Sequence, residues 1–126
     1  MKIRNKLTAI TLLLLIFTVG CVTLGTGKIN LSEDLVINQY DTIRNIVIEE
    51  AANNGFPTLR TEVKPLAINK WSGKLYFAVK TSQGWDNLTV KIKKVDDHFV
   101  VDMTGAATKA NPKGAIEAIK TRLGQL

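Results

Sequence analysis

"LYFAVKTSQGWDNLTVKI", residues 75–92, carries two runs of period two on either side of a turn-like break. Leu75, Phe77 and Val79 alternate with Tyr76, Ala78 and Lys80. Beyond Ser82-Gln83-Gly84, Leu88, Val90 and Ile92 alternate with Thr89, Lys91 and Lys93. Successive strand residues point to opposite faces, so such runs predict strands with one buried and one wet face, the antiparallel habit. Two more runs flank this pair. Leu59, Thr61 and Val63 alternate with Arg60, Glu62 and Lys64, and Phe99, Val101 and Met103 alternate with His98, Val100 and Asp102. Ser72-Gly73 and Asp96-Asp97 read as the remaining turns, since aspartate tolerates tight-turn backbone. Pro65 lacks an N–H and places the first of the four strands at the sheet's rim.

On both sides of these runs the period becomes helical. Ser32 offers a capping oxygen, and Glu33 and Asp34 suit the positive end of a helix dipole. Val36, Tyr40, Ile43, Val47 and Ala51 form one apolar stripe, widened by Ile46 and Ile48. Asn53-Asn54-Gly55 ends the helix, with Gly55 as a left-handed cap. Asn111-Pro112 opens a second helix, whose narrow stripe is Ala115, Ile116, Ile119 and Leu123. Both helices need an apolar surface, and the sheet offers one. The expected fold class is therefore α+β in two layers. It has a long helix, a four-stranded antiparallel β-meander and a C-terminal helix, making residues 32–126 a single α-β-β-β-β-α domain. A long helix laid on a four-stranded meander resembles the cystatin-like layout. No cystatin loop signature is present, so the resemblance implies no inhibitor function.

The N-terminus has a different composition. The chain of 126 residues carries a formal charge of +6, and Lys2, Arg4 and Lys6 supply half of it. Residues 7–19 are uncharged and mostly apolar, Gly20 is small, and Cys21 is the only cysteine. This order of basic, apolar and small residues marks an export signal. It resembles a bacterial lipoprotein signal peptide over residues 1–21. Val19, Gly20 and Cys21 match the end of the lipobox, and Thr18 stands where that family prefers an aliphatic residue. The resemblance implies cleavage after Gly20, lipidation of Cys21 and a place on the periplasmic face of the cell envelope. Val22, in place of aspartate after the cysteine, implies the outer membrane. Two other readings of the residues stay open. One is an uncleaved transmembrane anchor, because the 21 residues between Lys6 and Lys28 carry no charge. The other is an ordinary secreted protein. A disulfide within the chain is excluded by the single cysteine. Residues 22–31, "VTLGTGKINL", read as a linker reaching about 15–20 Å, so the domain is expected to work close to its membrane.

Catalytic chemistry finds few candidates. Ser32 is a cap and Ser72 and Ser82 sit in turns, none in a nucleophile elbow. Glu33-Asp34 and Glu49-Glu50 are helix neighbours that point about 100° apart. His98 beside Asp96-Asp97 lacks the further ligands a metal site requires. "LGTGK", residues 24–28, lacks the spacing of a phosphate loop. No catalytic residue, metal or cofactor is expected, and the chain beyond Gly20 holds 14 Lys+Arg against 11 Asp+Glu, without the dense basic stripe of a nucleic-acid binder. The residues that remain are on the wet face of the sheet: Arg60, Lys64, Tyr76, Lys80, Lys91 and Lys93. They suit an anionic envelope component or an acidic envelope protein. Trp71 and Trp85 are expected to close the two ends of the core. The expected function is a non-catalytic binding or scaffolding module. The alternative is a small-ligand carrier with a pocket between the long helix and the sheet.

Overall fold

A computed structural model describes residues 22–64 and 71–126. The expected signal segment, Cys21 and Pro65 lie outside the described residues. The elements are β1 (Thr23–Ser32), α1 (Glu33–Asn53), β2 (Leu59–Glu62), β3 (Ser72–Thr81), β4 (Gly84–Val95), β5 (His98–Ala107) and α2 (Pro112–Gly124). The fold is α+β, but its sheet has five strands, in the order β1-β5-β4-β3-β2, every neighbour antiparallel. The expected four-stranded meander is present as β2 to β5. The fifth strand is the stretch read as a linker, which pairs residue for residue with β5 from Thr23↔Ala107 to Ser32↔His98.

The local rules account for the helix ends. Ser32 closes the β1 ladder and also caps α1, its hydroxyl accepting from the Leu35 N–H at 3.3 Å. At the other end Gly55 has φ +96°, its N–H donates to the Ala52 carbonyl and the Phe56 N–H donates to the Ala51 carbonyl at 2.8 Å. That is a Schellman closure, and Phe56 supplies its apolar contact by burying fully. Because β1 and β2 are opposite edges of the sheet, α1 must cross all five strands. Its 21 residues are about 31 Å long, enough to cover a sheet about 19 Å wide. Phe56, Phe77, Phe99, Ile43 and Leu75 fill the space between them.

The second helix lies on β1 and β5, and glycines let it approach. A Cβ on Gly27 would lie 2.5 Å from Ile116 Cγ2, and one on Gly25 would lie 2.9 Å from the Lys113 backbone nitrogen and 3.0 Å from the Pro112 carbonyl carbon. The "LGTGK" glycines thus serve close packing. Gly25→Ala would push against the α2 backbone at Lys113 and Pro112 as well as the Ile116 side chain, so it is expected to destabilise the fold by about 1–3 kcal/mol. Thr26→Ala, one residue on and exposed, is expected to stay within about 0.5 kcal/mol of wild type. Urea unfolding midpoints distinguish the two.

The turn into α2 is held by one buried carboxylate. Asp86 points inward from β4 and is 2% exposed. Its Oδ1 accepts from the Thr108 N–H at 2.8 Å and the Thr108 hydroxyl at 3.1 Å; its Oδ2 accepts from the Lys109 and Ala110 N–H groups at 3.0 and 2.9 Å. Burial pushes the pKa up, and these four hydrogen bonds outweigh it and hold the carboxyl below its ordinary value.

Candidate functional site: the outer face of the sheet

Alternation assigns one face of each strand to the helices and leaves the other in water. The register then stacks outer residues into rows across the sheet. Thr26, Thr104, Thr89, Tyr76 and Thr61 form one row over all five strands. The next row is Lys28, Asp102, Lys91 and Lys74, and beyond it run Asn30, Val100, Lys93 and Ser72. Lys74 stands directly opposite Lys91, an arrangement that costs stability between like charges. With Lys93 they border a shallow depression of about 220 Å³, lined also by Val63, Ser72, Gly73 and Ile92. Among the described residues none of these three lysines forms an ion pair. The Lys74 ammonium leans over the Tyr76 ring, 5.6 Å from its centre.

The expected site residues are therefore divided. Lys91, Lys93 and Tyr76 come together. Lys80 lies six residues along β3 from Lys74, about 20 Å away, opposite Trp85 at the far end of the sheet. Arg60 is at that far end too, its guanidinium 5.9 Å over the Trp85 ring. Lys64 is not on the outer face. The β2–β3 register shifts between Leu59 and Thr61, so Thr61 pairs with Tyr76 outside and Glu62 with Leu75 inside. Lys64 then lines a cleft of about 400 Å³ beside α1 with Tyr40, Asp41, Arg44 and Glu62.

Three residues of that cleft are bonded together through one carboxylate oxygen. The Tyr40 hydroxyl donates to Glu62 Oε1 at 3.1 Å, and Arg44 Nε reaches the same oxygen at 2.8 Å. Burial, then the Glu62 charge and hydrogen bond, push the Tyr40 hydroxyl up to about 12. Trp71 packs edge-on to Tyr40 and Phe99, with ring centres 4.9 and 5.3 Å apart, and closes this end of the core as expected. Trp85 does not close the other end: it is 55% exposed on the outer face. The role expected of it falls to Asp86, which turns inward one residue later. His98 contacts the Asp97 carboxylate at 3.4 Å, at the hairpin tip.

The sequence reading missed Lys74 and Lys28. Lys74 falls beside Ser72-Gly73, which reads as a turn but belongs to β3, and Lys28 falls in the stretch that reads as a linker but forms β1. Both share the parity of outer residues on their strands, which is the signal that finds them. Chemically the cluster offers fixed positive charge, an aromatic face and hydroxyls. Each exposed charge pair is worth about 1 kcal/mol in water, so binding there depends on several contacts at once and weakens with salt. The chain matches no protein-family model, no curated protein and no solved structure.

Proposed function

We propose that the protein is a membrane-anchored bacterial envelope lipoprotein that binds an anionic envelope component and catalyses no reaction. Cys21 is the lipidated residue in this reading, on the periplasmic side, with Val22 favouring the outer membrane. The observation that carries the binding role is the Lys74–Lys91–Lys93 cluster. Three cations border one depression, none of them in an ion pair among the described residues, and two oppose each other across a ladder, with Asp102 opposite Lys91 as the acid of that row. A sheet that keeps this cost needs a use for it, and an anion relieves it. The rival reading, a small-ligand carrier, needs room between α1 and the sheet, where Ile43, Val47, Phe77 and Phe99 are fully buried. The long helix across an antiparallel meander supports the cystatin-like likeness of layout, extended by β1 and α2, and no inhibitor function is drawn from it.

The test is crosslinking in the native envelope followed by recovery of the partner. Lys74→Glu, Lys91→Glu and Lys93→Glu together are expected to abolish recovery, and Lys80→Glu alone is expected to leave it unchanged. Equal recovery with the triple variant, at equal thermal stability, overturns the basic face as the binding site.

A further inference from the structure

The short distance from Cys21 to the first strand residue fixes which end of the domain meets the membrane. β1 begins at Thr23, and two residues of extended chain reach at most about 7 Å. The register shows what else is at that end. Leu24 pairs with Ala106, Ala106 with Asn87, and Trp85 follows on the same outer face of β4. Val22, Leu24 and Trp85 are 47%, 69% and 55% exposed, an unusual outlay of large apolar surface on one rim. Around them are cations: Arg60 stacks on Trp85, Lys80 pairs across from it, and the exposed Lys109 sits in the loop that Asp86 gathers beneath. Asp86 is buried beneath that loop and spends its oxygens on backbone and hydroxyl donors, and no ion pair joins it to the Lys109 ammonium among the described residues. The opposite end presents the exposed Asp34, Asp96 and Asp97 together with Lys74, Lys91 and Lys93 and the exposed Val63 and Val95, so the position of Cys21 and the exposed Trp85, more than net charge, tell the two ends apart.

We infer that the rim formed by Val22, Leu24, Trp85, Arg60 and Lys80 rests on the anionic surface of the bilayer, so that the domain stands on its sheet end with the Asp96-Asp97 hairpin pointing away. The inference rests on the reading that residues up to Cys21 tether the chain, by lipid or by a spanning segment. Tryptophan favours the interface, where its ring is half in hydrocarbon and its N–H stays wet. Basic residues held at an anionic surface add about 1 kcal/mol each. An acyl anchor alone leaves the domain free to tumble; a second contact orients it. This orientation places the lysine cluster near the distal end of the outer face, beyond the headgroups and open to a partner.

The experiment uses the full chain, isolated from the membranes of cells that express it and reconstituted in vesicles. The lipids are phosphatidylglycerol and phosphatidylethanolamine, brominated near the top of the acyl chains to quench nearby tryptophan. Flotation reports the tether, and emission reports the contact. Wild type is expected to float and to lose the Trp85 share of its emission. The Trp85→Phe variant, left with buried Trp71, is expected to float and lose none. Arg60→Glu with Lys80→Glu is expected to float with the quenching lost. Flotation with the same quenching in wild type and Trp85→Phe overturns the inference and leaves the tether standing. A chain that does not float overturns both. Undiminished quenching when phosphatidylcholine replaces phosphatidylglycerol overturns the anionic surface as the partner.

Discussion

Asp86→Asn is expected to lower the thermal midpoint by roughly 10–20 °C, the equivalent of about 3 kcal/mol in a domain of this size. The exchange is nearly isosteric, so its effect is chemical. Both carboxylate oxygens accept from the loop, two donors on each, three of the four being backbone N–H groups. An amide keeps one acceptor and turns a donor toward the other pair. A buried donor left without an acceptor costs about 1–3 kcal/mol, and two are stranded here. The Thr108 hydroxyl can turn to accept from the new amide, and the group lies under one loop, so the total stays in the lower half of the resulting range of about 2–6 kcal/mol. The loop also seats α2: the Asn111 N–H donates to the Asn54 carbonyl at 2.8 Å, and the Asn111 side chain caps the Gly114 N–H at 3.0 Å. Loosening residues 108–110 therefore reaches both helices. The carboxyl is held below its ordinary value of 3.8, which fixes the sign of the acid response. Its stabilisation is complete above the unfolded value, near pH 4, and is lost as pH falls through the lower folded value. Wild type should lose stability below about pH 4 more steeply than Asp86→Asn, which no longer carries that titration. Urea midpoints across pH 2–6 (on the order of one point per half unit) measure the difference.

Most of the fold was legible because it follows period and punctuation. The stripe from Val36 to Ala51, the Ser32 cap, the Gly55 ending and the Asn111-Pro112 start all appear where the residues point. The rest was hidden for physical reasons that can be named. The inward positions of β1 are Thr23, Gly25, Gly27, Ile29 and Leu31; α2 presses so closely that the middle of the strand has no room for side chains. Its largest residue in the first half, Leu24, faces outward. A strand with glycine inside and leucine outside inverts the usual pattern and reads as flexible chain. The bulge in β2 leaves no mark in composition, since Arg60 and Thr61 suit either face, and it moved Lys64 away from the site that alternation assigns it. Of the candidate site, the parity of Tyr76, Lys91 and Lys93 was sufficient. The separation of Lys80 from them followed only from counting rungs between known turns.

A chain that begins at Ser32 is expected not to fold. If residues 22–31 were a linker, removing them would leave the thermal midpoint unchanged. As β1 they supply a ten-residue antiparallel ladder, on the order of ten backbone hydrogen bonds, each worth about 1 kcal/mol net. They also supply Leu31, 5% exposed, and Ile29, packed on the core. Truncating one buried leucine alone costs about 2–5 kcal/mol. The loss uncovers Ile116 on α2 and bares β5 as a new edge, with Phe99, Val101 and Met103 along it. Together these come to about 12–15 kcal/mol, the upper part of the 5–15 kcal/mol that holds a typical domain. Circular dichroism of the truncated chain should show neither the cooperative melt nor the native helix content of the full one. Leu31→Ala in the full chain serves as the milder version, expected to fold with a loss of about 2–5 kcal/mol. Inserting ten glycine and serine residues between Cys21 and Val22 should leave the melt unchanged and, under the tethered reading proposed above, lengthen the tether by about 15–20 Å. The truncation removes stability and the insertion removes only proximity, so comparing them separates what β1 does for the fold from what its position does for the tether.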